Sequence, residues 1–120
     1  MTLDVFSAYT VGMSSAISPV ATKAEVLKIL SDFAETIRKL GVVQIGLFGS
    51  FVRNQQTPES DLDVLVDFAE GQATFDNYMD LCFLLEDETG RKVDVVTTRS
   101  LSPFIGPHII NEVEYVNLDR

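Results

Sequence analysis

The sequence predicts one α/β or α+β domain, in which a small mixed β-sheet is flanked by helices. Its 120 residues are enough for a single hydrophobic core. Hydrophobic residues make up 46% of the chain, against 7 glycines and 4 prolines, which is the composition of a globular protein. Apolar residues at helical spacing alternate with short β-branched runs, in the order helix, strand, strand, helix, strand, helix. The pattern leaves the strand order open.

The N-terminal stretch is the least regular part of the sequence. Residues 1–20 have weak periodicity and end in Ser18-Pro19, which predicts a loosely ordered extension before a domain at residues 21–120. The stretch lacks the basic segment and continuous apolar run of a signal peptide, and no apolar run approaches a membrane span. The single cysteine, Cys82, is expected in a helix core and suits a reducing compartment. We therefore expect a cytoplasmic protein.

A capping box marks the start of the first helix. Thr22 stands at the N-cap and Glu25 three residues later, so that each side chain can bond the other residue's backbone N–H. Gly41 predicts the end of this helix. Five apolar residues between these signals fall on one face and are expected in the core: Val26, Leu30, Phe33, Ile37 and Leu40.

The later elements follow from apolar runs and their interruptions. Strands are predicted over residues 42–48, 61–68 and 92–97, helices over 74–88 and 107–114, and a loop over 54–59. The second helix is expected to bury Phe75, Tyr78, Met79, Cys82 and Leu85. The second strand alternates and should be half buried, with Leu62, Val64 and Val66 on one face and Asp61, Asp63 and Leu65 on the other.

Two aspartates share one face at the start of the second strand. The Cα atoms of Asp61 and Asp63 should lie roughly 7 Å apart along the strand. Two ionised carboxylates at this separation repel each other unless a cation lies between them, and Mg²⁺ prefers oxygen ligands. A pair of such ions is the arrangement that promotes displacement at phosphorus. An isolated Asp-x-Asp, however, is also typical of a solvated strand edge.

The turn after the first strand has the chemistry of a phosphate site. Gly49 lets the backbone approach a ligand without a Cβ in the way, and Ser50 adds a hydroxyl donor. Neither a P-loop motif nor a Gly-x-Gly-x-x-Gly motif occurs in the chain. Gly-Ser alone is also a common turn, so its meaning depends on what surrounds it.

A third acid stands inside the third predicted strand. Asp94 lies between Val93 and Val95, and a charge in an apolar strand is costly unless it is paired or bound. If strands two and three are neighbours, Asp94 can complete a three-carboxylate cluster, and it could accept the proton of an attacking hydroxyl. An ion pair with Arg91 or Arg99 is the alternative. The whole pattern of Gly-Ser, ten residues, Asp-x-Asp and a distal Asp favours a functional site.

The segments GLFGSFVRNQQTPESDLDVLVDF and GRKVDVVT resemble the minimal nucleotidyltransferases (the MNT group) of the DNA polymerase β-like superfamily. The resemblance covers about Lys23 to Val116 and implies a polymerase β-like nucleotidyltransferase fold. It also implies that Gly49 and Ser50 contact the nucleotide phosphates. Arg53 stands where the family often has a basic residue, and it is expected either to contact phosphate or to be an exposed loop arginine. The resemblance further implies that the carboxylates bind two Mg²⁺ ions, with Asp61 and Asp63 as ligands and Asp94 as the third acid.

The activity that the resemblance implies is transfer of AMP from ATP, the substrate, to a hydroxyl. Single-domain members of this size are similar to the antitoxins of MNT–HEPN toxin–antitoxin modules, which adenylylate a tyrosine of the HEPN ribonuclease and so silence it. The implied partner is therefore a cognate HEPN toxin, bound in a hetero-oligomer. Two alternatives remain: an enzyme that modifies a small-molecule hydroxyl, and an antitoxin that neutralises its toxin by covering it without catalysis.

The charge of the chain limits its partners. The net charge is −9, and residues 59–88 contain ten acids and no Lys or Arg. Such a surface repels a phosphate backbone, so direct binding of DNA or RNA is not expected. It suits cations or a basic protein partner, although acids of this kind also keep a protein in solution.

Overall fold

The computed structural model describes residues 19–119 and contains a four-stranded sheet with helices on both faces. The helices are α1 (Lys23–Asp32), α2 (Ala34–Lys39), α3 (Ser50–Arg53), α4 (Phe75–Thr89) and α5 (Gly106–Glu112). The strands are β1 (Val42–Phe48), β2 (Leu62–Phe68), β3 (Val93–Thr97) and β4 (Glu114–Val116), and a 3₁₀ turn spans Thr98–Ser100. Among residues 19–119, none of the helices could span a lipid bilayer.

The sheet is mixed, with the strand order β3-β2-β1-β4. β1 pairs antiparallel with both β2 and β4, whereas β2 and β3 run parallel, joined by α4 as the crossover. This confirms the predicted fold class. Strand β3 lies beside β2, which is the condition under which Asp94 was predicted to join the other two carboxylates.

Two apolar layers cover the sheet. The larger contains Val26 and Leu30 of α1, Ile37 of α2, and Leu81 and Leu85 of α4, packed on the alternate residues of the sheet. The smaller lies on the opposite face and contains Phe48, Leu65 and Ile109. Leu65 is therefore fully buried beneath α5, and β2 is buried on both faces for most of its length, in contrast to the predicted half-buried strand.

The first helix begins as predicted and is interrupted once. The Thr22 side chain accepts from the Glu25 N–H, and the Glu25 carboxylate accepts from the Thr22 N–H, at 3.2 and 3.1 Å. Instead of one helix to residue 40, Phe33 separates α1 from α2 with φ −101° and ψ 17°. The Phe33 N–H nevertheless donates to the Ile29 carbonyl, and the Phe33 carbonyl accepts from the Ile37 N–H. Because these bonds continue through the break, the apolar stripe stays on one face.

The apolar face of α4 is rotated from the predicted one. Thr74 caps the helix and Gly90 ends it in the left-handed conformation, close to the predicted bounds. Phe75, predicted in the core, is 76% exposed, while Leu81 is fully buried. Cys82 is partly buried against the core, in agreement with its predicted place.

The C-terminal part contains a strand that the sequence pattern did not predict. The last helix ends at Glu112, and β4 follows directly, with Tyr115 opposite Gly46 on β1. At the other end, residues 1–18 of the predicted extension lie outside the described residues. The extension's last two residues, Pro19 and Val20, are described. Val20 is buried, and its N–H donates to the Thr89 carbonyl at 2.9 Å.

Candidate functional site

The predicted acids lie at one end of the parallel strand pair. Asp63 of β2 and Asp94 of β3 are register partners, so their Cα atoms are direct neighbours across the pair. Asp61 lies two residues before Asp63, immediately ahead of β2, and is exposed. Asp63 is also paired with Phe48, the last residue of β1, which brings the turn after β1 to the same place.

Asp63 is the most perturbed acid of this group. Burial, followed by the negative charges of Asp94 and Asp61, raises the pKa of the Asp63 carboxyl from 3.8 to about 6. Arg53 lowers this pKa and Glu112 raises it, both through their charges. The raised pKa of Asp63 therefore reflects burial together with repulsion from the neighbouring carboxylates.

The Gly49 turn is shaped around Asp63. Gly49 is buried and has φ 81° and ψ −152°, a backbone conformation that residues with a side chain rarely adopt. A Cβ at this position would collide with the Asp63 carboxylate, with its Oδ2 atom as the nearest neighbour. Glycine is therefore required twice here, by the backbone conformation and by the approach to Asp63.

Ser50 and Arg53 lie on the short helix that follows the turn. Ser50 begins α3 and is partly exposed, and its hydroxyl makes no hydrogen bond with any residue of 19–119. Arg53 ends α3, close enough to Asp63 to affect its pKa. The structure thus places Ser50 and Arg53, two of the three residues predicted to contact phosphate, on α3 directly after the Gly49 turn that contacts Asp63.

Glu112 is a site residue that the motif analysis missed. Its Oε2 atom accepts from the buried Gly49 N–H at 2.7 Å, and its two oxygens accept from Arg53 Nη1 at 2.9 and 3.0 Å. The Gly49 N–H is therefore committed to this carboxylate rather than open to a ligand. The available signal was weak: Glu112 is the one charged residue between Arg99 and Glu114, in a segment that is otherwise largely apolar.

The alternative ion pairs of Asp94 do not form. No ion pair between residues 19 and 119 includes Asp94. Arg91 instead packs on Phe51 of α3, with its guanidinium 5.0 Å from the centre of the ring. It donates to the backbone carbonyl of Val20, ahead of α1, and to three carbonyls in the loop before β2, those of Thr57, Pro58 and Ser60.

Asp61, Asp63 and Asp94 fit Mg²⁺ by donor chemistry. They supply only carboxylate oxygens, and their mutual repulsion at Asp63 is what a divalent cation would relieve. Within residues 19–119, no group of three or more His, Cys, Asp or Glu side chains is already arranged to hold a metal ion. Binding would therefore require these side chains to reorient towards the ion.

A mixed four-stranded sheet with flanking helices matches the fold of a minimal nucleotidyltransferase. A solved structure described as a candidate minimal nucleotidyltransferase superposes with a TM-score of 0.62 at 33% identity, covering 73% of this chain and 93% of that one. Residues 26–117 match the model of the nucleotidyltransferase domain family. The chain belongs to this family.

Relatives that this chain matches over nearly their whole length have more specific names. The protein adenylyltransferase MntA of Thermococcus cleftensis is 38% identical over 96 residues, which cover 79% of this chain and 96% of the relative. A candidate protein adenylyltransferase of Methanocaldococcus jannaschii is 37% identical over 100 residues, which cover 75% and 100%. A toxin–antitoxin structure with AMP-PNP shares the fold, with a TM-score of 0.58 at 23% identity, over 79% of this chain and 72% of that one.

Proposed function

We propose that the protein is a Mg²⁺-dependent protein adenylyltransferase that transfers AMP from ATP to a tyrosine hydroxyl of a cognate HEPN toxin. In this role it would form a hetero-oligomer with the toxin and act as its antitoxin. The observation that carries the proposal is the placement of Asp63 opposite Asp94, directly beneath the Gly49–Ser50 turn. A site that combines carboxylates with hydrogen-bond donors for phosphate oxygens suits chemistry at phosphorus.

The names of relatives support the acceptor class. The Thermococcus cleftensis relative is named as a protein adenylyltransferase, so its acceptor is a protein. A structure of the same fold contains a tri-AMPylated HEPN toxin of Shewanella oneidensis in complex with an MNT antitoxin, at a TM-score of 0.53 and 20% identity, over 74% of this chain and 70% of that one. We extend both descriptions to this chain as part of the proposal.

The residues of the site divide into two sets in the proposed reaction. Asp61, Asp63 and Asp94 would hold Mg²⁺, which when bound neutralises charge that develops on the phosphates and makes the acceptor hydroxyl more acidic. The Ser50 hydroxyl and the Arg53 guanidinium would donate hydrogen bonds to phosphate oxygens and so orient the triphosphate. Neither role requires a residue outside the fold described above.

The transfer itself is a single displacement at the α-phosphorus of ATP. The tyrosine oxygen forms a bond to that phosphorus, the bond from phosphorus to the bridging oxygen breaks, and pyrophosphate leaves with the electron pair. The hydroxyl proton passes to a carboxylate, and Asp94, which forms no ion pair with any of the residues 19–119, is the residue that we assign to accept it. The products are O-AMP-tyrosine and pyrophosphate.

The test is transfer of label from α-³²P ATP. The protein is incubated with Mg²⁺, labelled ATP and a candidate HEPN protein from the same organism, and the HEPN protein is then separated by electrophoresis and mapped by mass spectrometry. We expect label on a toxin tyrosine and loss of its ribonuclease activity. An established protein adenylyltransferase with its own substrate serves as the control. If the control labels its substrate and this protein labels no toxin residue, the proposed function is wrong.

A further inference from the structure

Glu112 connects the last helix to the Gly-Ser turn through three hydrogen bonds. The carboxylate accepts from the Gly49 N–H and, with both oxygens, from Arg53 Nη1, over distances of 2.7 to 3.0 Å. Its side chain is 25% exposed, against 50% for Arg53, so the pair is partly shielded from water. Charge-assisted bonds of this length are stronger than neutral ones and fix geometry more firmly.

The two partners of Glu112 belong to the proposed phosphate site. Gly49 is buried against the Asp63 carboxylate, and a shift of its peptide would move both the turn and the start of α3. The Arg53 side chain is long and half exposed, so without a fixed partner it would sample several rotamers. A second acceptor, the Gln55 side chain, holds Arg53 Nε at 3.0 Å. Glu112 supplies the charged half of this clamp.

Glu112 does not occupy all of the hydrogen-bond donors of the site. Arg53 Nη2 makes no hydrogen bond with any residue of the described range, and neither does the Ser50 hydroxyl. Arg53 can therefore bind Glu112 with one nitrogen and a phosphate oxygen with the other. The carboxylate thus holds the Gly49 N–H and one nitrogen of Arg53, while Arg53 Nη2 and the Ser50 hydroxyl are left for phosphate oxygens.

From these contacts we infer that Glu112 is a positioning residue, which sets the affinity for the ATP phosphates by holding Arg53 and the Gly49 peptide in place. The inference rests on the proposed function, because it concerns the same nucleotide site. It adds a residue from α5 to a site otherwise formed by the β1–α3 turn and the strands β2 and β3. Loss of Glu112 therefore weakens ATP binding, even though it removes a negative charge from the neighbourhood of the phosphates.

The test compares Glu112→Gln and Glu112→Ala with the wild type in AMP transfer and in calorimetric binding of AMP-PNP with Mg²⁺. Glu112→Gln keeps an oxygen for the Gly49 N–H but loses the charge that binds Arg53. We expect the KM for ATP to rise about tenfold in Glu112→Ala and by less in Glu112→Gln, with a smaller change in kcat. AMP-PNP affinity should fall in parallel. Thermal unfolding identifies the folded variants, and Glu112→Gln preserves the side-chain volume.

Two controls separate positioning from general stability. Glu114→Gln removes a nearby ion pair to Lys23 that lies outside the site, at 2.8 Å, and should leave the KM for ATP unchanged. In an Arg53→Ala background, Glu112→Gln should change the KM less than twofold, because its effect acts through Arg53.

The outcomes distinguish the inference from the proposed function. An unchanged or lowered KM in folded Glu112→Ala, with an active wild type, overturns the inference alone; a lowered KM would mean that the carboxylate competes with phosphate. A wild type that neither binds AMP-PNP nor transfers AMP overturns the proposed function. Equal effects of Glu112→Gln in the wild-type and Arg53→Ala backgrounds would show that Arg53 is not the residue it positions.

Discussion

Asp63 and Asp94 are opposite each other on two parallel strands, and each belongs to a different part of the sequence. The α4 crossover brings them together, so the pair exists only in the folded chain. Burial and this neighbour are the two largest causes of the raised pKa of Asp63. A folded protein that keeps such a pair close bears an electrostatic cost, which binding of a cation would remove.

Replacing the acids should separate catalysis from binding of the toxin. We expect Asp61→Asn and Asp63→Asn each to lower AMP transfer by about 10²-fold or more, because each removes a charged oxygen ligand. Asp67→Asn is the matched control, since Asp67 lies on the same strand but accepts from Thr98 Oγ1 at 3.0 Å. In cells, both site variants should fail to neutralise the toxin. Continued neutralisation would favour an antitoxin that acts by covering its partner.

The raised pKa of Asp63 makes stability depend on pH in a defined direction. In the folded state the carboxyl stays protonated up to about pH 6, while in the unfolded chain it ionises near 3.8. The folded state therefore binds more protons between these values, and the contribution of Asp63 to stability falls as pH rises from about 4 to 6. Above pH 6 the ionised carboxylate lowers the stability of the metal-free protein.

Asp63→Asn tests whether ionisation of Asp63 lowers the stability of the metal-free protein. A shift of this size corresponds to about 3 kcal/mol for a fully buried group, and because Asp63 is partly exposed we expect about 1 kcal/mol. Urea unfolding in EDTA should show the variant more stable than the wild type at pH 7.5, with the difference vanishing near pH 4. A variant that is equally or less stable at pH 7.5 would contradict the electrostatic account.

Gly49 and Gly71 form a matched pair for measuring the contact with Asp63. Both have positive φ, 81° and 78°, but a Cβ on Gly71 would meet no atom within 4 Å. Gly71→Ala should therefore cost only the backbone strain, about 1 kcal/mol, and Gly49→Ala about 3 kcal/mol or more because the methyl group also displaces Asp63. Denaturant unfolding measures both. Equal costs would mean that the turn does not press on Asp63.

Arg91 stabilises the approach to β2 in a way that lysine cannot reproduce. Its guanidinium reaches several carbonyl oxygens at once while stacking on Phe51. We expect Arg91→Ala and Arg91→Lys to lose about 2 kcal/mol of stability, and hydrogen exchange to rise in the loop before Asp61. The exposed Arg99→Ala is the control and should change stability by less than about 0.5 kcal/mol. Full rescue by lysine would show that charge alone matters.

The sequence predicted the local features of this fold and most of the candidate site. The capping box at Thr22, β1 to its exact bounds and the ends of α4 depend on neighbouring residues, which is why local patterns predict them. The Gly-Ser and Asp-x-Asp signals are likewise short-range. Their proximity to Asp94 required the strand order, which only the packed structure supplies.

The features that were missed depend on tertiary contacts. β4 has three residues and forms because the edge of β1 accepts it, so its sequence alone carries little signal. Phe75 is apolar but begins α4 where no core lies beneath it, and it is therefore exposed. Glu112 is distant in sequence from Gly49 and Arg53, and its role became visible only when α5 was placed beside the turn.

Calorimetry of AMP-PNP binding with and without Mg²⁺ shows whether the facing carboxylates hold a divalent cation together with the nucleotide, as we propose. The wild type should bind AMP-PNP with Mg²⁺ and much more weakly in EDTA. Asp63→Asn and Asp94→Asn should each lose the Mg²⁺-dependent part, about tenfold or more in affinity, while Asp80→Asn on the exposed side of α4 should not. Undiminished Mg²⁺-dependent binding in both site variants would contradict the account.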